Sequence, residues 1–345
     1  MLRSINLSLS CACKADCIFC PSNRGQSIKK KLMPYALAKK IIDEVSSGDF
    51  KARHRINKII IGENGDALLN KDTIPIMRYI RSTLPDIKIM LYTNFQHMTK
   101  DKSEAILKER LADLIRTNID GSDAENYFAV KCIDYGAVSD NIRSLLALRK
   151  EAGAGIPLHI SVLTLNNYAH TVHKNLGFLP AKLNNPALMN IEDDFGKVKE
   201  RWETMLDSRI DRIYRCYSVI AWAERDKIDT GKIDYRKYSC TNLIRIKHEA
   251  FIAPDGTWYA CCLDSDNELI LGNLNKNTLH DIYCGEKRRD IIRLLEGRAF
   301  AKIGGPCKTV NCCQWLHKNR MVTSAYRVVF GNGPLVKLSY NRFYF

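Results

Sequence analysis

Along the first 165 residues, short apolar runs of strand length alternate with longer stretches in which apolar positions recur at helical spacing. Ile5–Leu9 reads as a first strand, Lys58–Ile61 as a second, Ile87–Tyr92 as a third, Leu114–Ile119 as a fourth and Pro157–Leu163 as a fifth. Helical periodicity fills the intervals at Pro34–Val45, Thr73–Leu84, Lys102–Arg110 and Asp140–Glu151. Strands separated by helices predict right-handed crossovers and a parallel sheet. Further on, Asp193–Leu206 is predicted helical and Arg212–Ala221 extended, whereas the connection around Leu179–Asn190 fits neither pattern. From Cys240 the character changes to two hairpin pieces, Ala250–Ala253 and Trp258–Cys261, around the turn Pro254-Asp255-Gly256. Helices are predicted after them at Thr278–Tyr283 and Glu286–Glu296. The expected class is α/β, with a domain boundary near residue 235.

Composition narrows the possibilities. With 345 residues, 46% of them hydrophobic and 26% charged, the chain can bury a sizeable core and exceeds one average domain. No apolar run approaches the roughly 20 residues that span a bilayer, and the apolar stretch at Met1–Leu7 is too short for a secretory signal. A cytoplasmic protein with no membrane partner is expected. The net charge of +15 is spread along the chain, and Lys29-Lys30-Lys31 is its one compact basic run. Basic residues are not interleaved with aromatics, so a nucleic-acid partner is disfavoured, while an anionic substrate stays open.

Thirteen cysteines without a secretion signal point to metal or redox chemistry before disulfides. Four lie within Cys11–Cys20 and seven between Cys240 and Cys313, leaving Cys132 and Cys216 as expected buried thiols. Cys13, Cys17 and Cys20 have the spacing C-x3-C-x2-C. Three thiolates from one loop hold three corners of a cubane cluster and leave the fourth iron open. The rival is a zinc knuckle completed by Cys11, which sits awkwardly close to Cys13 for both to chelate one ion.

With Phe19 before the last cysteine, Pro21 after it and a strand ahead of it, this loop resembles the signature of the radical SAM superfamily. The resemblance implies a partial (β/α)6 TIM-like barrel. It also implies a 4Fe–4S cluster at Cys13, Cys17 and Cys20 that binds S-adenosyl-L-methionine. Reductive cleavage of that cofactor would release a 5′-deoxyadenosyl radical that abstracts a substrate hydrogen. Gly62-Glu63-Asn64-Gly65-Asp66-Ala67-Leu68-Leu69 is similar to the family's glycine-glycine-glutamate-proline element, which receives the cofactor's ammonium group. Gly65-Asp66 matches it best, with Gly62-Glu63 as a rival registration. Asn94 and Asn118 end the third and fourth strands, where such folds carry their sites. Both resemble family positions that touch cofactor or substrate.

Cys240, Gly256 and Cys261 form C-x15-G-x4-C, continued by Leu271-Gly272-Asn273-Leu274 and a helix to Tyr283. This resembles the auxiliary-cluster domains called SPASM and, in shorter form, twitch. The C-terminal cysteine run is thinner than a full SPASM domain carries, so one auxiliary 4Fe–4S cluster is expected. The resemblance implies Cys240, Cys261, Cys307 and either Cys312 or Cys313 as its ligands. Cys262 and Cys284 would be packed thiols, and the eight histidines show no paired-ligand pattern.

The expected organisation is a radical SAM barrel over 1–235, a SPASM/twitch-like α+β hairpin domain over 236–320 and a tail over 321–345. The expected enzyme is an oxidoreductase or related radical-transfer enzyme served by an external one-electron reductant such as flavodoxin or ferredoxin. Its substrate would be a sugar, aminocyclitol or nucleoside, dehydrogenated, epimerised or decarboxylated. Because the chain begins at the cluster strand, it is expected to lack the recognition extension of many peptide-modifying relatives. Modification of a ribosomally made peptide is the alternative, and a zinc-stabilised basic nucleic-acid-binding protein is the alternative outside enzymes.

Overall fold

The computed structural model of the chain describes residues 1–18, 20, 31–164, 194–217, 238–240, 242–262, 264, 268–308 and 315–317. Phe19, Pro21, the connection at Leu179–Asn190, Cys312 and Cys313 lie outside the described residues. In chain order the elements begin β1 (Ser4–Leu7), α1 (Tyr35–Ser46), α2 (Gly48–Arg53), β2 (Lys58–Ile61), α3 (Thr73–Thr83) and β3 (Lys88–Tyr92). Then come α4 (Lys100–Lys108), β4 (Leu114–Asn118), α5 (Ala124–Lys131), α6 (Tyr135–Glu151), β5 (Leu158–Thr164), α7 (Phe195–Glu203) and β6 (Arg212–Tyr217). The C-terminal part holds β7 (Tyr238–Cys240), α8 (Leu243–His248), β8 (Glu249–Ile252), β9 (Thr257–Tyr259) and β10 (Ile270–Asn273). It continues with α9 (Leu279–Cys284), α10 (Glu286–Glu296), the short α11 (Gly305–Lys308) and β11 (Trp315–His317).

Strands β1 to β6 lie side by side in sequence order, every neighbouring pair parallel, as the strand–helix alternation predicted. This is the sheet of a partial TIM-like barrel. Strand alternation gives it two unlike faces. Ile5, Leu7, Ile59, Ile61, Ile89, Leu91, Leu158 and Ile160 join the helices in the main core. The opposite, inner face carries only a small apolar cluster of Ile60, Met90 and Leu114 with Tyr92 beside it. By the same alternation Ser4, Asn6, Arg116, Asn118, His159 and Ser161 share that inner face. A polar interior is unusual for a purely structural sheet.

Four differences from the sequence reading have physical causes. The first strand ends at Leu7 rather than Leu9, because the Leu9 carbonyl leaves the sheet for the Met33 N–H (2.9 Å) and the Asn70 side-chain amide (2.9 Å). Helix α5 was missed because its apolar residues are spread around its axis; the Asp123 carboxylate caps it through the Asn126 N–H. Cys132, expected to be buried, is half-buried and takes φ 54° as that helix's left-handed C-cap. Cys284, expected to be packed, is exposed.

The C-terminal hairpin is continuous with the barrel. β8 pairs parallel with β1 in the register Ser4↔Glu249 to Leu7↔Ile252, and β9 and β10 extend the sheet antiparallel, giving nine strands. A strand buried on both faces cannot leave an edge of N–H and C=O groups unpaired, and β8 satisfies that edge of β1. No helix among the described residues is long and apolar enough to cross a membrane.

At the far side of the barrel, the buried Arg149 guanidinium grips Asp211 through two bonds of 2.6 Å. Asp211 also accepts the N–H groups of Leu158 (2.7 Å) and Asp207 (2.8 Å), so one carboxylate joins the ends of α6, β5 and β6. Asp211→Ala leaves a buried guanidinium without its counterion and is expected to cost about 3–5 kcal/mol, read by chemical denaturation.

Candidate metal centres

The N-terminal cysteine loop grows from β1 and is closed at its base. Ser10 pairs with Leu32, the Cys11 N–H reaches the Lys31 carbonyl (3.0 Å), and the Asn70 amide donates to both Leu9 (2.9 Å) and Met33 (2.8 Å). Its far end is held by the Ile18 N–H on the Val130 carbonyl of α5 (3.1 Å) and by the Cys20 N–H on the Cys17 carbonyl (3.0 Å). Burial pushes the Cys13 thiol up, and the Cys17 thiol up to about 12, while Lys131 opposes both shifts. Lys131 is itself buried, ion-paired to Asp120 at 2.8 Å. Asn94 donates its amide to Cys13 Sγ at 3.4 Å, so the turn after β3 reaches the first cysteine.

The Gly62–Asp66 turn after β2 lies directly against this loop. Gly65 has φ +68°, and a Cβ there would sit 2.5 Å from the Ser10 carbonyl and 2.8 Å from the Ala12 carbonyl. Only glycine fits. Next to it, the Asp66 N–H bonds the Ala12 carbonyl (2.8 Å). The Asp66 carboxylate is 1% exposed; Oδ1 accepts from the Leu68 N–H and Thr93 Oγ1, both at 3.1 Å, while Oδ2 has no partner. Burial raises its pKa, against the pull of those two bonds. A buried carboxylate with one orphaned oxygen is the acceptor an ammonium group requires.

Glu63, the rival acid, points elsewhere. Arg245 of α8 binds both its oxygens, at 3.0 and 3.1 Å, and Asn64 donates to the Tyr259 hydroxyl at 2.7 Å. The turn therefore has two sides: Gly65 and Asp66 toward the cysteine loop, Glu63 and Asn64 toward the C-terminal part. Asn118 lies apart from both, at the end of β4 opposite Ser161 of β5.

The C-terminal cysteines gather separately. Cys261 forms a small core with Ile246, Leu295 and Phe300, and Cys240, Cys262 and Cys307 pack against it. Burial pushes the Cys307 thiol up to about 12, with Cys240 adding to the shift. Cys240 pairs with Trp315 across β7 and β11, and Cys313 precedes Trp315 by two residues in the sequence. Among the described residues no three His, Cys, Asp or Glu side chains close on a point small enough for one metal ion. A cubane spreads its thiolates more widely, and the orphaned Asp66 oxygen, the Gly65 cradle and the amide on Cys13 fit a cluster with its cofactor.

Three contributors had no signal in the sequence: Asn70, which clamps both stems of the loop; the Lys131–Asp120 pair behind Cys17; and Arg245. Each acts through a contact more than ten residues away in the chain.

Comparison with known proteins agrees with this geometry. The profile of the SPASM iron–sulfur cluster-binding domain matches residues 240–320. The anSMEcpe structure with bound AdoMet shares the fold at a TM-score of 0.56 and 14% identity, over 99% of this chain and 95% of that one. Streptococcus suis SuiB bound to precursor peptide SuiA gives 0.54 and 14%, over 85% and 67%. BtrN in complex with AdoMet and 2-DOIA gives 0.51 and 14%, over 89% and 92%. No curated protein sequence matches the chain. The chain thus shares the fold of structures solved with bound AdoMet, and its residues 240–320 match an iron–sulfur cluster-binding domain.

Gly65→Ala should force the cysteine loop off the Gly62–Asp66 turn. The expected outcome is loss of about 4 irons per chain after anaerobic reconstitution, one cubane's worth, while the auxiliary cluster is retained.

Proposed function

We propose that the chain reductively cleaves S-adenosylmethionine and abstracts a hydrogen atom from a small polar molecule held against the inner face of its barrel. The observation that carries this reading is the orphaned oxygen of Asp66, buried beside a loop that presents three cysteines. Cys13, Cys17 and Cys20 would hold the catalytic cluster, and Cys240, Cys261, Cys307 and Cys312 or Cys313 an auxiliary one. When bound, the catalytic cluster and cofactor supply a carbon-centred radical. Asp66 would accept the cofactor's ammonium group, Gly65 would let the backbone approach it, Asn94 would orient the Cys13 thiolate, and Asn118 would line the cavity. The division into barrel (1–235), auxiliary domain (236–320) and tail (321–345) goes with this assignment. An external flavodoxin or ferredoxin would deliver the electron.

The inner face favours a small substrate. Asn6 of the first strand is fully buried there, and its side-chain amide has no protein partner. Arg116 stacks on the rings of Tyr92 (5.2 Å) and Tyr214 (5.3 Å) nearby, which suits a sugar, aminocyclitol or nucleoside, including an anionic one. The second reading is a peptide, supported by the likeness to SuiB bound to its precursor peptide and to anSMEcpe with bound AdoMet and Kp18Cys peptide.

With dithionite and S-adenosylmethionine the reconstituted chain should yield 5′-deoxyadenosine, and Cys17→Ala should abolish it while iron falls from about 8 to about 4 per chain. Asp66→Asn should weaken cofactor binding about tenfold, roughly 1.4 kcal/mol, and more than Glu63→Gln does. Equal weakening would reassign the acid. Asn6→Leu removes an unsatisfied buried amide and should raise unfolding stability by about 1 kcal/mol, with cofactor cleavage retained. A destabilised Asn6→Leu variant would mean that this amide is structural.

A further inference from the structure

Around Cys261 and Cys262, two side chains aim N–H donors at sulfur. The buried Asn242 amide lies 3.3 Å from Cys261 Sγ and 3.4 Å from Cys262 Sγ. The Arg245 Nη1 lies 3.1 Å from Cys262 Sγ. These donors are held firmly. Asn242 sits at the start of α8, and its carbonyl accepts the Ile246 N–H (2.9 Å). The Arg245 guanidinium is fixed on its other sides by Glu63 (3.0 and 3.1 Å), by Glu249 and by the Phe251 ring at 5.0 Å.

Hydrogen bonds to cluster sulfurs and nearby positive charge favour the reduced, more negative state of an iron–sulfur cluster. The Glu63 and Glu249 carboxylates do the opposite but are partly neutralised by the guanidinium they share. We propose that Asn242 and Arg245 are positioning residues that raise the reduction potential of the auxiliary cluster. Arg245 also ties that potential to the cofactor turn, because the same guanidinium holds Glu63, three residues before Asp66. This inference rests on the assignment of Cys261 as an auxiliary-cluster ligand. The path runs from Cys261 through Cys262 and Arg245 to Glu63 and then along the backbone to Gly65 and Asp66. Every link but the first and last is a side-chain contact of 3.4 Å or less.

The experiment is a redox titration of the anaerobically reconstituted full chain, followed by electron paramagnetic resonance. Added S-adenosylmethionine marks the catalytic cluster, whose signal it perturbs, and leaves the auxiliary signal to be read. Asn242→Leu and Arg245→Met should each lower the auxiliary midpoint potential with iron content unchanged, and Arg245→Lys, which keeps a charged donor, should restore most of the shift. Glu63→Gln should move the auxiliary potential upward. Auxiliary potentials that stay put in the iron-replete variants would overturn the inference. If Asn242→Leu loses iron, Arg245→Met and Arg245→Lys decide it, since of the two cysteines Arg245 donates to Cys262 and not to the ligand Cys261. A wild-type chain holding about 4 irons and one signal would instead overturn the auxiliary-cluster assignment under Proposed function.

Discussion

The four residues of β1 are paired on both edges by parallel neighbours, with β2 on one side and β8 on the other. That pairing fixes where everything else stands. The cysteine loop leaves the end of β1, the Gly62–Asp66 turn leaves the end of β2, and α8 delivers the chain into β8. The loop and the turn, far apart in sequence, are thereby set at the C-terminal end of one sheet, where parallel α/β folds carry their chemistry, while α8 enters at the start of β8. Because register in a sheet has a period of two, a slip of one residue in β1 would turn Asn6 into the helical core and Ile5 into the barrel.

Charges taken inside this fold are matched locally. Lys131 meets Asp120, Arg149 meets Asp211, and Arg245 meets Glu63 and Glu249. Each pair joins elements that packing alone leaves free to slide, since aliphatic contacts are tolerant of small displacements and bidentate ion pairs are not. Among the buried side-chain atoms left unmatched in the described residues are the second oxygen of Asp66 and the amide of Asn6. Desolvated polar atoms without partners are costly, and the second oxygen of Asp66, beside the cysteine loop, is one that a cationic ligand would satisfy.

Much of this was legible from the chain alone. The period-two and period-3.6 patterns matched β2 and α10 to the residue and β1, β3, β4 and β5 to within two, and the C-x3-C-x2-C spacing located the loop. Helix α5 escaped because it has no apolar stripe, and β10 because its residues Ile270–Asn273 include a glycine and an asparagine at an exposed edge. The choice between Glu63 and Asp66 could not be read from composition or spacing, since both follow a glycine in the same turn. It turns on which way the turn faces, and that depends on Arg245, about 180 residues later in the chain.

The pairing of β1 with β8 also orders events in time. Ser4 and Glu249, bonded through their side chains at 2.9 Å, are separated by 245 positions, so one edge of β1 stays bare until all the residues between them have been made. Contacts of such long range form late, and an exposed edge invites pairing with other chains in the interval. The cysteines that follow β1 emerge first from the ribosome, yet the strand that anchors them is completed only by residues from the auxiliary end. The anchoring of the cysteine loop is thus bound to synthesis of the C-terminal part, and a nascent or truncated chain lacking residues 249–252 would present its thiols on an unfinished sheet.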